Sequence, residues 1–204
     1  MKLMKLMSMG LLLACASCSQ NVQQESTDPQ DTDAALEKIM TRVSVRQYTD
    51  QKIDEATLDK LLRAGMAAPS AADVRPWSFV VVDDPAIKQA LADSIQTAGP
   101  AARAPQVIVV CGNMEKTFPG DAHEYWVQDC SAAMENMLVA AHAMGLGAVW
   151  MGVYPQKARV KIVSELLKLP STIMPLGAMA VGYPAESPSV KDKYDASLIH
   201  TNNW

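Results

Sequence analysis

A chain of 204 residues with 49% hydrophobic and 20% charged residues has the composition of an ordinary globular domain, which excludes a disordered polar chain and a polytopic membrane protein. Its net charge is -4 and no run of Lys or Arg stands out, so the electrostatic footprint of a nucleic-acid-binding protein is missing.

The first segment is a leader. Lys2 and Lys5 precede an apolar stretch from Leu6 to Ala14 that is too short to span a bilayer and reads as an export signal. Leu12-Leu13-Ala14-Cys15 resembles a bacterial lipobox, in which the cysteine is lipidated; Cys18 is the alternative. A redox reading of Cys15 and Cys18 needs a strand-to-helix context that this leader does not offer. The expected organisation is a lipoprotein signal peptide over 1–18, a flexible polar tether over 19–33 and one folded domain over 34–204. Its destination is the periplasmic side of a bacterial cell envelope, held by a lipid anchor.

In the domain, Asp33 is placed to cap a short helix through Met40. Asp54 caps a second, on which Leu58, Leu61, Leu62 and Met66 share a face. Ser78 to Asp83 reads as a buried strand, followed by a helix capped at Asp84 with Pro85 in its first turn. Gln106 to Cys111 reads as a second strand. The longest periodic segment runs from Asp121 to Met144, with Val127, Cys130, Met134, Met137, Leu138 and Ala141 as its apolar stripe. Gly145-Leu146-Gly147 stops it. A strand over Ala148–Gly152, a helix over about Gln156–Leu167 and a strand over Leu176–Gly182 follow. The tail from Tyr183 to Trp204 has little periodicity and needs something to lie against. Helices and strands mix without strict alternation, which favours α+β over a doubly wound parallel sheet. Cys111 and Cys130 fall on a strand and a helix, where a small buried hydrophobe is the expected role; a disulfide between them is not readable from sequence.

The GxxxxGK[ST], GxGxxG, HExxH and GxSxG patterns are absent, against the commonest nucleotide, zinc-protease and hydrolase designs. His123, His142 and His200 lack ligand spacing, so no metal is expected. Arg42, Ser44 and Arg46 alternate, and in an extended segment they would point one way and converge on an anion such as phosphate. On these residues alone a solvated edge strand is an equal reading. Lys191 and Lys193 form a second basic pair in the tail. Ala67-Ala-Pro-Ser-Ala-Ala-Asp-Val-Arg-Pro-Trp77 is a small-residue loop that would let a flat ligand approach backbone amides, or an ordinary connection.

Taken in order, Arg42-Val-Ser-Val-Arg-Gln-Tyr48, Ala68-Pro-Ser-Ala-Ala-Asp-Val-Arg-Pro-Trp77, Gly145-Leu-Gly-Ala-Val-Trp-Met-Gly152 and Val181-Gly-Tyr-Pro-Ala-Glu186 with Lys191-Asp-Lys-Tyr194 closely resemble the nitroreductase family of flavoproteins. The resemblance runs from about Ile39 to Trp204. It implies an α+β fold with a mixed or antiparallel sheet flanked by helices, and an intertwined homodimer with one FMN in each of two interface clefts. It assigns the FMN phosphate to Arg42 with one or both of Lys191 and Lys193, and a phosphate or ribityl contact to Ser44. Arg46 would lie by the edge of the ring that gains negative charge on reduction. Pro69, Ser70 and Ala71 would line the ring, with Met151 and Gly152 on its other face. Asp73 and Arg75 stand where the family usually has asparagine and glutamine, and an ionised aspartate accepts hydrogen bonds without donating. Unless Arg75 pairs with it, Asp73 opposes charge on the reduced ring, and the pair is expected to retune potential or substrate preference.

The implied activity is ping-pong reduction of nitroaromatic or quinone-type acceptors, small aromatic molecules, by NAD(P)H. No side chain is required as an acid or base, because the cofactor carries the electrons. Other reactions of the fold, dehydrogenation or reductive dehalogenation, remain open, as does a flavin-carrying lipoprotein without turnover. The leader also sends the domain where free NAD(P)H is scarce, so a quinol or a partner redox protein is a competing donor.

Overall fold

The computed structural model describes residues 29–204, with side chains from residue 33. The expected leader, Cys15, Cys18 and most of the expected tether lie outside the described residues. The elements are α1 (Pro29–Thr41), α2 (Glu55–Met66), β1 (Trp77–Val82), α3 (Pro85–Ser94), α4 (Gly99–Arg103), β2 (Gln106–Asn113), α5 (Tyr125–Ala143), β3 (Gly147–Gly152), α6 (Lys157–Leu166) and β4 (Ile173–Gly182). The α+β class is observed: one four-stranded sheet in the order β1-β2-β4-β3, antiparallel throughout.

The apolar runs of the central strands follow from burial on both faces. Ile108 and Val110 of β2, with Met179 and Val181 of β4, pack under α2 and α5 against Leu61, Met134 and Met137. Their neighbours Val107, Val109, Ala178 and Ala180 pack on the other face against Leu91 of α3, Ala101 of α4 and Val163 of α6. Cys111 and Cys130 are buried, unbridged and divided between the two layers. Burial pushes each thiol up to about 12, which leaves them protonated and inert.

Capping follows the sequence closely. Asp54 accepts a hydrogen bond from Thr57 N and Asp84 from Ala86 N and Ile87 N, each satisfying amides that the first turn leaves unpaired. Several elements differ from expectation. α1 is described from Pro29, so helix already precedes Asp33, the expected cap. α5 starts at Tyr125, because Gly120 takes a left-handed φ of 64° and Gly120–Glu124 forms a 3-10 turn. The helix therefore runs about 28 Å. α4, short and begun by Gly-Pro, carries no periodicity to read. β4 begins three residues before Leu176, with a register shift in which Val110 faces Gly177 and Cys111 faces Pro175. Leu176 is the extra residue of this bulge, and its carbonyl turns to Val153 N and Tyr154 N. That irregularity accommodates a proline in an inner strand.

α1 docks on α5 through Thr41 Oγ1 and His142 Nε2, 2.9 Å apart, and an ion pair of Arg42 Nε with Glu135 Oε1 at 3.2 Å. Next in the chain, Val45 is buried against Gly147, where an added methyl would lie 2.6 Å from Val45 Cγ1. Burial, then the charges of Lys38 and Arg42, lower the His142 pKa. The unfolded chain therefore takes up this proton first as pH falls, and stability is lost below the free imidazole value of about 6.5. Urea midpoints at pH 7 and pH 5 should fall more for the wild type than for His142→Gln; equal falls would remove His142 from the acid response. Gly147→Ala should cost roughly 1–3 kcal/mol by overpacking against Val45, read as a lower urea midpoint at unchanged slope.

Candidate functional site

Residues 42–46 leave α1 in extended form along the free edge of β3. Ser44 bridges Ala148 in parallel register and Val45 N donates to Ala148 O at 3.0 Å. Because side chains alternate, burying Val45 turns Arg42, Ser44 and Arg46 to the opposite side. The chain after β4 returns alongside: Tyr48 bridges Pro184, and Ala185 N donates to Gln47 O at 2.9 Å. Tyr48 Oη donates to Val45 O and Ala180 O, and burial drives its pKa above the usual tyrosine range. Glu186 Oε1 accepts from the amides of Arg46 and Gln47, and Arg103 Nε donates to Arg46 O at 3.1 Å.

The result is a cleft of about 310 Å³ lined by Arg42, Val43, Ser44, Arg46, Pro188, Ser189, Lys191 and Lys193. Two ends of the chain thus meet: both expected basic pairs and Ser44 share one cleft. Its lining has four cations and no carboxylate. Cations lining one cleft repel one another, and the arrangement is relieved by an anion of about two charges that takes several hydrogen bonds. Arg42 is partly committed to Glu135, whose side chain is half exposed.

Pro69, Ser70, Ala71 and Asp73 lie on a different loop, and none of them lines this cleft within the chain. Asp129, 6% exposed on α5, accepts from Ala71 N at 2.9 Å, and Ser70 Oγ accepts from Arg75 N at 3.0 Å. Asp129 and Glu135, which hold the loop and Arg42, are about 9 Å apart along the helix. Ala72, Asp73 and Arg75 have φ of 45°, 57° and 50°, a left-handed conformation that side chains disfavour and that persists only where contacts impose it. Asp73 and Arg75 form a bidentate pair, with Nε to Oδ1 at 2.7 Å. Its hydrogen bonds hold the Asp73 carboxyl below the usual range and raise Arg75. The pairing that the sequence left conditional is therefore present.

Gly152 ends β3, exposed, with open space where a side chain would be, and its carbonyl accepts from Arg159. It lies four residues beyond Ala148, about 13 Å along the strand. The Met151 side chain is buried in the opposite layer, so only its backbone can face the Gly152 side. The sequence reading missed Glu186, Glu135 and Asp129. Glu186 sits in a quoted motif, and Asp129 was visible as an acid beside the apolar stripe of α5. His123 bonds Thr117 and His142 bonds Thr41, and among the described residues no cluster suits a metal.

The nitroreductase family matches residues 39–106 and 96–183. A protein of Methanothermobacter thermautotrophicus, named as a candidate NADH dehydrogenase/NAD(P)H nitroreductase, is 42% identical over 171 residues, covering 83% of this chain and 87% of its own. The structure of a similarly named protein from Parabacteroides distasonis is 46% identical, with a TM-score of 0.79 over 83% of this chain and 98% of its own. An FMN-dependent nitroreductase from Clostridium difficile is 29% identical, with a TM-score of 0.76 over 83% and 99%. On sequence and fold together, this chain belongs to the nitroreductase family.

Proposed function

We propose that this protein is an FMN-dependent oxidoreductase that takes electrons from NAD(P)H and passes them to nitroaromatic or quinone-type acceptors. The observation that carries this reading is the cleft of Arg42, Ser44, Arg46, Lys191 and Lys193, four cations and a hydroxyl without a carboxylate. That donor set fits the phosphate of FMN in charge and in hydrogen-bonding capacity. FMN when bound supplies a two-electron carrier between donor and acceptor. Arg42, Lys191 and Lys193 hold its phosphate, and Arg46 offsets negative charge on the ring edge. Glu186 and Arg103 fix the Arg46 backbone, so its guanidinium starts from a set place. Gly152 leaves the end of β3 open to a flat group. Donor and acceptor would use one cleft in turn, which is a ping-pong sequence.

Two features support a homodimer. Leu36, Ile39 and Met40 of α1 and Tyr194, Leu198, Ile199 and Trp204 of the tail are exposed large apolar side chains, the kind of surface that a partner covers. The Pro69–Asp73 loop also does not line the cleft of its own chain. A second copy would cover the apolar faces and bring Pro69, Ser70, Ala71 and Asp73 to its partner's cleft, with two-fold symmetry. The leader supports a lipid anchor at Cys15 or Cys18 on the periplasmic side of a bacterial envelope, where a quinol or redox protein could replace NAD(P)H as donor.

The direct test is the visible spectrum of the chain from residue 20 onward, before and after NADH or NADPH under nitrogen. Flavin bands that bleach, followed by parallel double-reciprocal plots with a quinone acceptor, are expected; colourless protein that takes up no added FMN refutes the reading. Asp73→Asn should raise the flavin midpoint potential, because one negative charge near the ring is removed while Arg75 stays; an unchanged potential would show that the pair does not reach the ring.

A further inference from the structure

Asp129 is an acid at a core position of α5, 6% exposed, and among the described residues it forms no ion pair. Its side chain accepts one hydrogen bond, from Ala71 N at 2.9 Å. A buried carboxyl without a cation is costly, and an apolar residue of similar size would pack there at no greater cost. Stability therefore does not account for an acid at this position; the amide that it holds does. α5 also fixes the helix that leads into the loop, where Asn136 Nδ2 donates to Ala64 O at 3.1 Å.

The bond to Ala71 governs more than one residue. Ser70 is extended, with φ -140° and ψ 156°, and the planar peptide that follows has its N–H and C=O on opposite sides. With the Ala71 N–H on Asp129, the Ser70 carbonyl turns the other way and accepts from Asp73 N at 3.0 Å. Ala71 O accepts from Val74 N at 3.1 Å, and within this pair of bonds Ala72 and Asp73 take their left-handed φ. Two donors of the turn then have no acceptor among the described residues. They are the Ala72 N–H and the hydroxyl hydrogen of Ser70, whose oxygen accepts from Arg75 N. Donors held in place stabilise charge that develops beside them without reorganising.

We propose that Asp129 is a positioning residue of the flavin site: through the Ala71 amide it holds the Ser70 hydroxyl and the Ala72 amide toward the flavin of the second copy, where they favour the reduced ring. The inference rests on the flavin and homodimer readings above, in which this loop reaches the other cleft. The bond acts here and not the charge, since a negative charge near the ring opposes reduction.

The test compares Asp129→Asn with Asp129→Leu as FMN-loaded dimers. Both lose the charge, and only asparagine keeps an oxygen for Ala71 N. Relative to oxidised FMN, reduced FMN should bind about tenfold more weakly to Asp129→Leu than to Asp129→Asn, which for a two-electron couple is a midpoint potential about 30 mV lower. Urea midpoints separate this from a loss of fold, since Asp129→Leu should be at least as stable as the wild type. If leucine is not accommodated, Ala71→Pro removes the same bond from the other side, where the extended Ser70 suits a following proline, and should lower the potential below that of the wild type. Equal potentials in the asparagine and leucine variants, or an unmoved potential in Ala71→Pro, overturn the proposal and leave the flavin reading standing. Wild-type protein that takes up no FMN overturns both.

Discussion

Val45 fills the space that Gly147 leaves beside β3, and this contact fixes the cationic cleft. With Val45 buried and its amide bonded to Ala148 O, the extended segment has one register and one rotation. Alternation then sends Arg42, Ser44 and Arg46 outward together. A side chain at residue 147 would separate the two segments, and the register that aligns the arginines would go with it. The cleft thus depends on an apolar contact that has no chemistry of its own.

Upon that segment the tail is laid by polar bonds. Glu186 takes the Arg46 and Gln47 amides and Ala185 donates to Gln47 O, which brings Lys191 and Lys193 across to a site begun some 150 residues earlier. The gathered positive charge opposes this closure, and Glu186 and Glu135 offset part of it from just outside the lining. A bound phosphate would remove the rest, so ligand and tail should stabilise each other by linkage.

The Pro69–Asp73 loop is organised by different means. Its left-handed residues are held from below by Asp129, a buried acid on the rigid α5, and from within by the Asp73–Arg75 pair. An exposed ion pair contributes little stability, so its value lies in presenting a fixed, nearly neutral charge pair at the loop surface. In the proposed dimer that surface faces the partner's cofactor, where the sign and distance of nearby charge matter more than stability.

Much of this was legible in the sequence. Asp54 and Asp84 caps, the apolar runs of β2 and β4 and the stripe of α5 are local signals, carried by residues near one another in the chain. The motif order was enough to gather Arg42, Ser44, Arg46, Lys191 and Lys193 as one group and to name the family. What the sequence could not supply depends on contacts far apart in the chain. The bulge at Leu176 exists because β2 and β4 share a register, and the roles of Asp129, Glu135 and Glu186 exist because a helix and a tail reach the two loops. The motif placed Met151 with Gly152 along one face of the ring; strand alternation buries the Met151 side chain in the other layer, which leaves its backbone for that role. The sequence by itself determined which residues carry the charge and which faces are apolar, since those are properties of side-chain type and spacing. Only the tertiary structure decided which charges meet, which stay unpaired and which side of the sheet each side chain serves, because those follow from packing between segments that sequence distance does not relate.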